Sequence, residues 1–225
     1  MKIEKAKRTF VAENLQIDSW ESIKTYFDDL LARTIETKED YTKWLKDKSE
    51  LEAVLEEDAA WRYIKMTIDT RNEALSNAYT FFVTKIQPEL APFEDQLNQK
   101  LVNSPYFAEL DTDQAHHIYF RSVKTALELF REENIPIQAE LQTLAQEYSS
   151  IQGAMSVDID GQTYTMQQAS NFLLRTDRDL REKVWKAMNE RRQQDTEKLD
   201  SLFDTMVQKR HQMALNAGCA SVGVS

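Results

Sequence analysis

The chain has 225 residues, 41% hydrophobic and 29% charged, a composition that excludes a disordered chain and is long enough to bury a core without metal or disulfide help. A net charge of −10 opposes nucleic-acid binding, which needs a basic surface to displace counterions, and a single cysteine, Cys219, excludes a disulfide framework and fits a reducing compartment. Only 4 Gly and 4 Pro are present, so long uninterrupted elements, helices above all, are expected.

Met1 to Arg8 is basic, but no apolar run follows it as in a signal peptide, and no stretch approaches the length of a membrane span. A cytoplasmic protein is the simplest expectation. Residues 1–17 read as loop, with Phe10, Val11, Leu15 and Ile17 available to pin the segment down. Asp18 with Glu21 has the spacing of a capping box, and Trp20, Ile23, Phe27, Leu30 and Leu31 follow at helical spacing. Thr37 opens a second helix carrying Tyr41, Trp44 and Leu45. The stripe continues through Leu51, Val54, Leu55, Trp61, Ile64 and Ile68, as one long helix or two with a bend near Lys48-Ser49.

The next helical pattern covers about 72–101. Pro88 and Pro92 fall inside it, and each removes a donor and crowds the preceding turn, so a kink or break is expected. Asp111 and Gln114 offer another capping box before Tyr119, Val123, Ala126, Leu127 and Phe130. Pro136 suits a first turn, and Leu141, Leu144, Ala145, Tyr148 and Ile151 form a stripe ending near Gly153.

One segment reads as β. Residues 155–159 alternate apolar and polar, Asp160-Gly161 is a preferred type I′ turn, and Gln162-Thr163-Tyr164 returns, a hairpin over about 155–164. Thr165 caps a short helix with Ala169, Phe172 and Leu173. Asp177 then opens what reads as the last and longest helix. It carries Leu180, Val184, Ala187 and Met188, a polar waist over 189–198, and Leu199, Leu202, Phe203, Met206 and Val207. The periodicity stops at Gly218, and Cys219 to Ser225 is a run of small residues. The fold class expected is all-α, a long-helix bundle with one small hairpin.

The residues themselves give no catalytic constellation. His116 and His117 are adjacent, not four apart, so they diverge on a helix and cannot form a zinc pair, and no H-E-x-x-H occurs. His211 sits with Lys209 and Arg210 near a helix C-terminus, where cations suit the macrodipole. Glu56-Glu57-Asp58, Glu132-Glu133, Asp177-Arg178-Asp179 and Glu190-Arg191-Arg192 read as solvated charge runs. Cys219 lacks a basic neighbour that would activate it. The four tryptophans lie on apolar stripes and read as core. No catalytic, cofactor-binding or metal residue is therefore assigned.

Several segments nonetheless resemble the oligoendopeptidase F type of zinc metallopeptidase, in the thimet-like oligopeptidase clan. They are residues 44–54, from Trp44, and 60–67, with Ala60-Trp61-Arg62-Tyr63; then Leu129-Phe130-Arg131-Glu132-Glu133-Asn134-Ile135-Pro136, and Gly153-Ala154-Met155 leading into the hairpin. Residues 181–192 and Lys209-Arg210-His211-Gln212-Met213-Ala214-Leu215-Asn216-Ala217-Gly218 complete the set. The resemblance spans about Arg8 to Gly218. It implies a mostly helical enzyme with an enclosed cleft that hydrolyses oligopeptides. Zinc would be held there by the histidines of H-E-x-x-H and a later glutamate, the motif glutamate acting as general base on the bound water.

All of those positions belong C-terminal to the matched region. The chain is expected to be the N-terminal portion only: a helical domain over 1–176, the first helix of a catalytic domain over 177–218, and a non-matching tail over 219–225. A frameshift, a premature stop, a gene-model error or a designed truncation would each produce that pattern. No zinc is expected in this chain, and it is expected to be inactive alone. The alternative is a stand-alone helical module that binds a peptide or a partner protein.

Overall fold

The computed structural model of the chain describes residues 7–112 and 114–220. The helices run α1 Glu21–Ala32, α2 Lys38–Ile68, α3 Glu73–Phe81, α4 Gln87–Val102, α5 Phe107–Asp111, α6 Gln114–Leu129 and α7 Asn134–Ala154. Strands β1 Ser156–Ile159 and β2 Gln162–Thr165 follow, then α8 Met166–Ser170, a 3₁₀ turn over Asn171–Leu174, α9 Arg178–Gln193 and α10 Thr196–Asn216. The fold is an all-α bundle of long helices with one small antiparallel hairpin.

Local chemistry accounts for most element ends. Thr37 accepts the Asp40 N–H while the Asp40 carboxylate accepts the Thr37 N–H, a reciprocal box that opens α2 as one unbroken helix. Thr165 and Gln168 repeat the device at α8, and Asp177 accepts the Leu180 N–H at α9. The hairpin pairs Ile159 with Gln162, and Asp160 (φ 53°) and Gly161 (φ 80°) both take the positive φ that a type I′ turn requires. At the end of α10, Gly218 (φ 84°) turns left-handed; its N–H reaches Leu215 O and the Cys219 N–H reaches Ala214 O at 2.9 Å. This Schellman closure ends α10.

The main core joins the N-terminal segment to α1–α6. Val11 and Ile17 are buried among Ile23, Phe27, Leu30, Trp44 and Leu101, so the loop-like N-terminal residues are pinned as their apolar content implies. Lys100 on α4 donates to Leu30 O, Leu31 O and Arg33 O at 2.5–2.9 Å, satisfying the carbonyls that α1 leaves free at its C-terminus. A second cluster packs Val157 and Ile159 of the hairpin on Val184 and Met188 of α9, which supplies the support an isolated hairpin lacks. A third joins Ile151 and Met155 to Leu202 of α10.

The structure corrects several expectations. Asp18 and Glu21 make no capping box: Trp20 already has helical dihedrals at the N-cap of α1, with no side-chain cap. Asp111 ends α5 rather than capping α6, its carboxylate being held by Lys124 at 2.9 Å; Asp113 lies outside the described residues. The two prolines do not break the helix. A π-helical turn over Phe82–Ile86 re-registers the backbone just before Pro88, which lies in the first turn of α4, and α4 continues through Pro92.

Along the last turns of α2, Trp61, Ile64 and Ile68 are exposed and only Met66 is fully buried, although Arg62 still reaches Ile17 O and Ala78 O. Trp185 is exposed as well, so two of the four tryptophans are not core. The expected last helix is two. It breaks at Gln194-Asp195, inside the polar waist where no apolar side chain anchors it, and Arg191 pairs with Asp195 at 2.5 Å across the last turn of α9. The longest helix is α2, of 31 residues. On α10, Leu202 is buried and Met206 half-buried, but Phe203 and Val207 are exposed. Of the tail, residues 221–225 lie outside the described residues.

Candidate functional site

Two of the segments singled out in the sequence, 129–136 and 209–218, meet in space. Arg131 donates to Glu128 O (3.0 Å), Phe130 O (2.5 Å) and Ala217 O (3.2 Å), tying the α6–α7 turn to the end of α10. Asn134, at the start of α7, donates to Met213 O at 3.1 Å and accepts from the Asn216 amide at 2.7 Å. These bonds fix α10 across α7 and leave a cavity of about 320 Å³ between α4, α6, α7 and α10.

The lining of this cavity is mainly apolar, with Pro88, Ala91, Leu129, Ile135 and Met213, and it includes one carboxylate, Glu94. Pro88, Ala91 and Glu94 recur every three residues and therefore line one face of α4. Glu94 is exposed to solvent, yet nearby protein raises its pKa; Glu52 and Glu56 push the same way and Lys48 opposes them. Behind it, Lys48 is buried. Its ammonium donates to the Glu52 carboxylate and to Tyr119 Oη at 3.0 Å. Burial works against the Lys48 charge, but Glu52 and Tyr119 outweigh it and its pKa lies above the usual lysine value. Burial raises the Tyr119 phenol.

The sequence-selected residues lie elsewhere. His116 packs its ring 5.8 Å from that of Phe120, and His117 Nδ1 lies 3.4 Å from Asp111 Oδ1. His211 is exposed on α10, far along the chain from both, and Lys209 beside it pairs with Glu140. Asp58 pairs with Arg62 at 2.6 Å and Glu57 lies 3.7 Å from Arg8, so that charge run is structural. Cys219 is a half-exposed free thiol following the α10 cap. Among the described residues, no group of three or more His, Cys, Asp or Glu could hold a metal ion. The chain's own described residues thus do not fit a zinc site. Nor, among them, is any helix long and apolar enough to cross a membrane.

Sequence reasoning missed the cavity and Glu94. Its one legible trace was an acid sharing the small-residue face of Pro88 and Ala91, a pattern obscured by the expected break at the prolines.

Comparison with known proteins completes the description. The family model described as the Peptidase M3 N-terminal domain matches residues 10–130. No curated protein matches the chain. Among solved structures, one described as an oligoendopeptidase F superposes with a TM-score of 0.83 at 22% identity, over 95% of this chain and 38% of its own. PZ peptidase A, solved with an inhibitor, gives a TM-score of 0.83 at 22% identity over 94% of this chain and 38% of its own. A protein of Bacillus anthracis str. Ames, also described as an oligoendopeptidase F, gives 0.83 at 18% identity over 94% and 39%. At these identities the likeness is one of fold, and the chain spans less than two-fifths of each of those proteins.

Proposed function

Because the chain belongs to the family of the Peptidase M3 N-terminal domain, we propose that it serves as the N-terminal, cleft-covering portion of a zinc-dependent oligoendopeptidase acting on short peptides. The observation that carries this reading is the family match over residues 10–130, extended by one fold over nearly the whole chain. In this reading residues 1–176 form the N-terminal helical domain and 177–218, here α9 and α10, lead into a catalytic part. The zinc ligands and the general base belong to that part, since H-E-x-x-H does not occur in these 225 residues. The chain alone then neither holds catalytic zinc nor cleaves peptides.

The role left to these residues is steric and electrostatic. Helices over a cleft exclude water from the reacting bond and admit only chains short enough to enter. The apolar side chains that α10 leaves exposed, Phe203, Val207 and Leu215, support a further packing surface on this side of the molecule. The reading keeps the protein in the cytoplasm, in line with its single cysteine. Reading the DNA beyond codon 218 in all frames tests it. An H-E-x-x-H continuation is expected, whereas an intergenic region with its own terminator favours a stand-alone module that binds a peptide or a protein.

A further inference from the structure

We propose that the cavity between α4, α6, α7 and α10 is a binding site for a small organic cation, an apolar body bearing one protonated amine that pairs with Glu94. This is independent of the peptidase reading, since it rests on the cavity alone. About 320 Å³ is room for a ligand the size of an arylalkylamine, within the range of small-molecule sites. Pro88, Ala91, Leu129, Ile135 and Met213 supply apolar walls, and apolar walls favour the body of such a ligand over water.

The charge pattern selects the head group. Glu94 is open to solvent and, among the described residues, takes part in neither a hydrogen bond nor an ion pair. Glu52 and Glu56 add negative potential at the same point. A cation arriving at Glu94 gains the one carboxylate of the lining as its partner, whereas an anion meets that carboxylate as a like charge.

Arg131 lines the cavity and Lys48 lies near enough to act on Glu94, and both are already engaged. Lys48 is held by Glu52 and Tyr119. Arg131 directs its guanidinium at the carbonyl oxygens of Glu128, Phe130 and Ala217. Neither is free to pair with Glu94 without breaking those bonds, and the Glu94 carboxylate suits an ammonium group from outside the chain.

The test titrates the purified chain with 2-phenylethylamine and, as the uncharged analogue of the same shape, 2-phenylethanol, following amide shifts by NMR. Saturable shifts for residues around Ala91 and Met213 are expected, with the alcohol about tenfold weaker than the amine. Glu94→Gln, which keeps the side-chain size, is expected to bring the amine down to the affinity of the alcohol while leaving the alcohol unchanged. Ala91→Leu, filling the cavity, is expected to abolish both. Equal affinity for amine and alcohol, an amine affinity indifferent to Glu94→Gln, or no saturable binding of either probe overturns the proposal. A thermal melt of each variant separates loss of the site from loss of the fold.

Discussion

The backbone N–H of Val11 donates to the Glu50 carboxylate at 2.8 Å, and this single side chain of α2 also accepts the N–H groups of Thr9 and Phe10 at 2.8–2.9 Å. One charged group thereby anchors residues 9–11, which lie outside any helix, while Val11 and Phe10 pack into the main core. Burial opposes the charge on Glu50, but three backbone donors outweigh it and hold the carboxyl at about 2.

The pH dependence follows. The folded pKa of about 2 lies below the ordinary 4.5, so the contribution is present above 4.5 and is lost as pH falls from there through about 2. Glu50→Gln is expected to cost about 1–3 kcal/mol at neutral pH, from weakened charge-assisted hydrogen bonds. It should also flatten the loss of stability across that acid window. Denaturant melts at neutral and acidic pH measure both. A variant whose deficit stays constant across the window contradicts the assignment to charge.

Lys48 gives a sharper core test. Its side chain is 1% exposed and bonded to Glu52 and Tyr119. Lys48→Ala opens a cavity and strands two polar partners, and is expected to cost about 3 kcal/mol. Lys48→Met keeps the volume and should cost less. Chemical denaturation ranks the two, and an Ala variant as stable as the Met variant counts against a buried network.

Gly153 is needed for space rather than for backbone freedom. A Cβ there would lie 2.6 Å from Thr70 Oγ1, where the end of α7 crosses the turn after α2. Gly153→Ala is therefore expected to destabilise by about 1–2 kcal/mol despite the better helix propensity of alanine. In a Thr70→Ala background the clash is gone, and the same change should become neutral or stabilising. A double-mutant cycle reads the coupling, and additivity would refute the contact.

Signals confined to a few adjacent residues were the ones the sequence showed well. Asp160-Gly161 is a type I′ turn and Thr165 and Asp177 are caps because each needs only its own neighbours. Asp18 failed as a cap since Trp20 already takes helical dihedrals, and periodicity could not tell that the stripe of α2 leaves Trp61 and Ile64 in solvent. The break at Gln194-Asp195 falls in the polar waist that the sequence displays, but such a stretch reads equally well as an exposed helix middle, and the π turn before Pro88 has no signature in the periodicity. The absence of H-E-x-x-H was plain in sequence, whereas the cavity beside Glu94 draws on four helices and needed the fold.

On α10 the stripe divides, Leu202 packing toward α7 and Phe203 and Val207 facing outward. Phe203→Ser with Val207→Ser is expected to change stability by less than about 0.5 kcal/mol per site while reducing aggregation and dye binding to exposed apolar surface. Light scattering and thermal melts decide it. A large drop in melting temperature would mean these residues are buried in this chain rather than held open for a further surface.

The proposed function gives these residues the covering part of an oligoendopeptidase and not its chemistry. The most direct measurement is zinc content together with hydrolysis of a quenched fluorescent oligopeptide by the purified chain, with and without a chelator. The account predicts no stoichiometric zinc and no chelator-sensitive cleavage. Stoichiometric zinc with chelator-sensitive cleavage would contradict it.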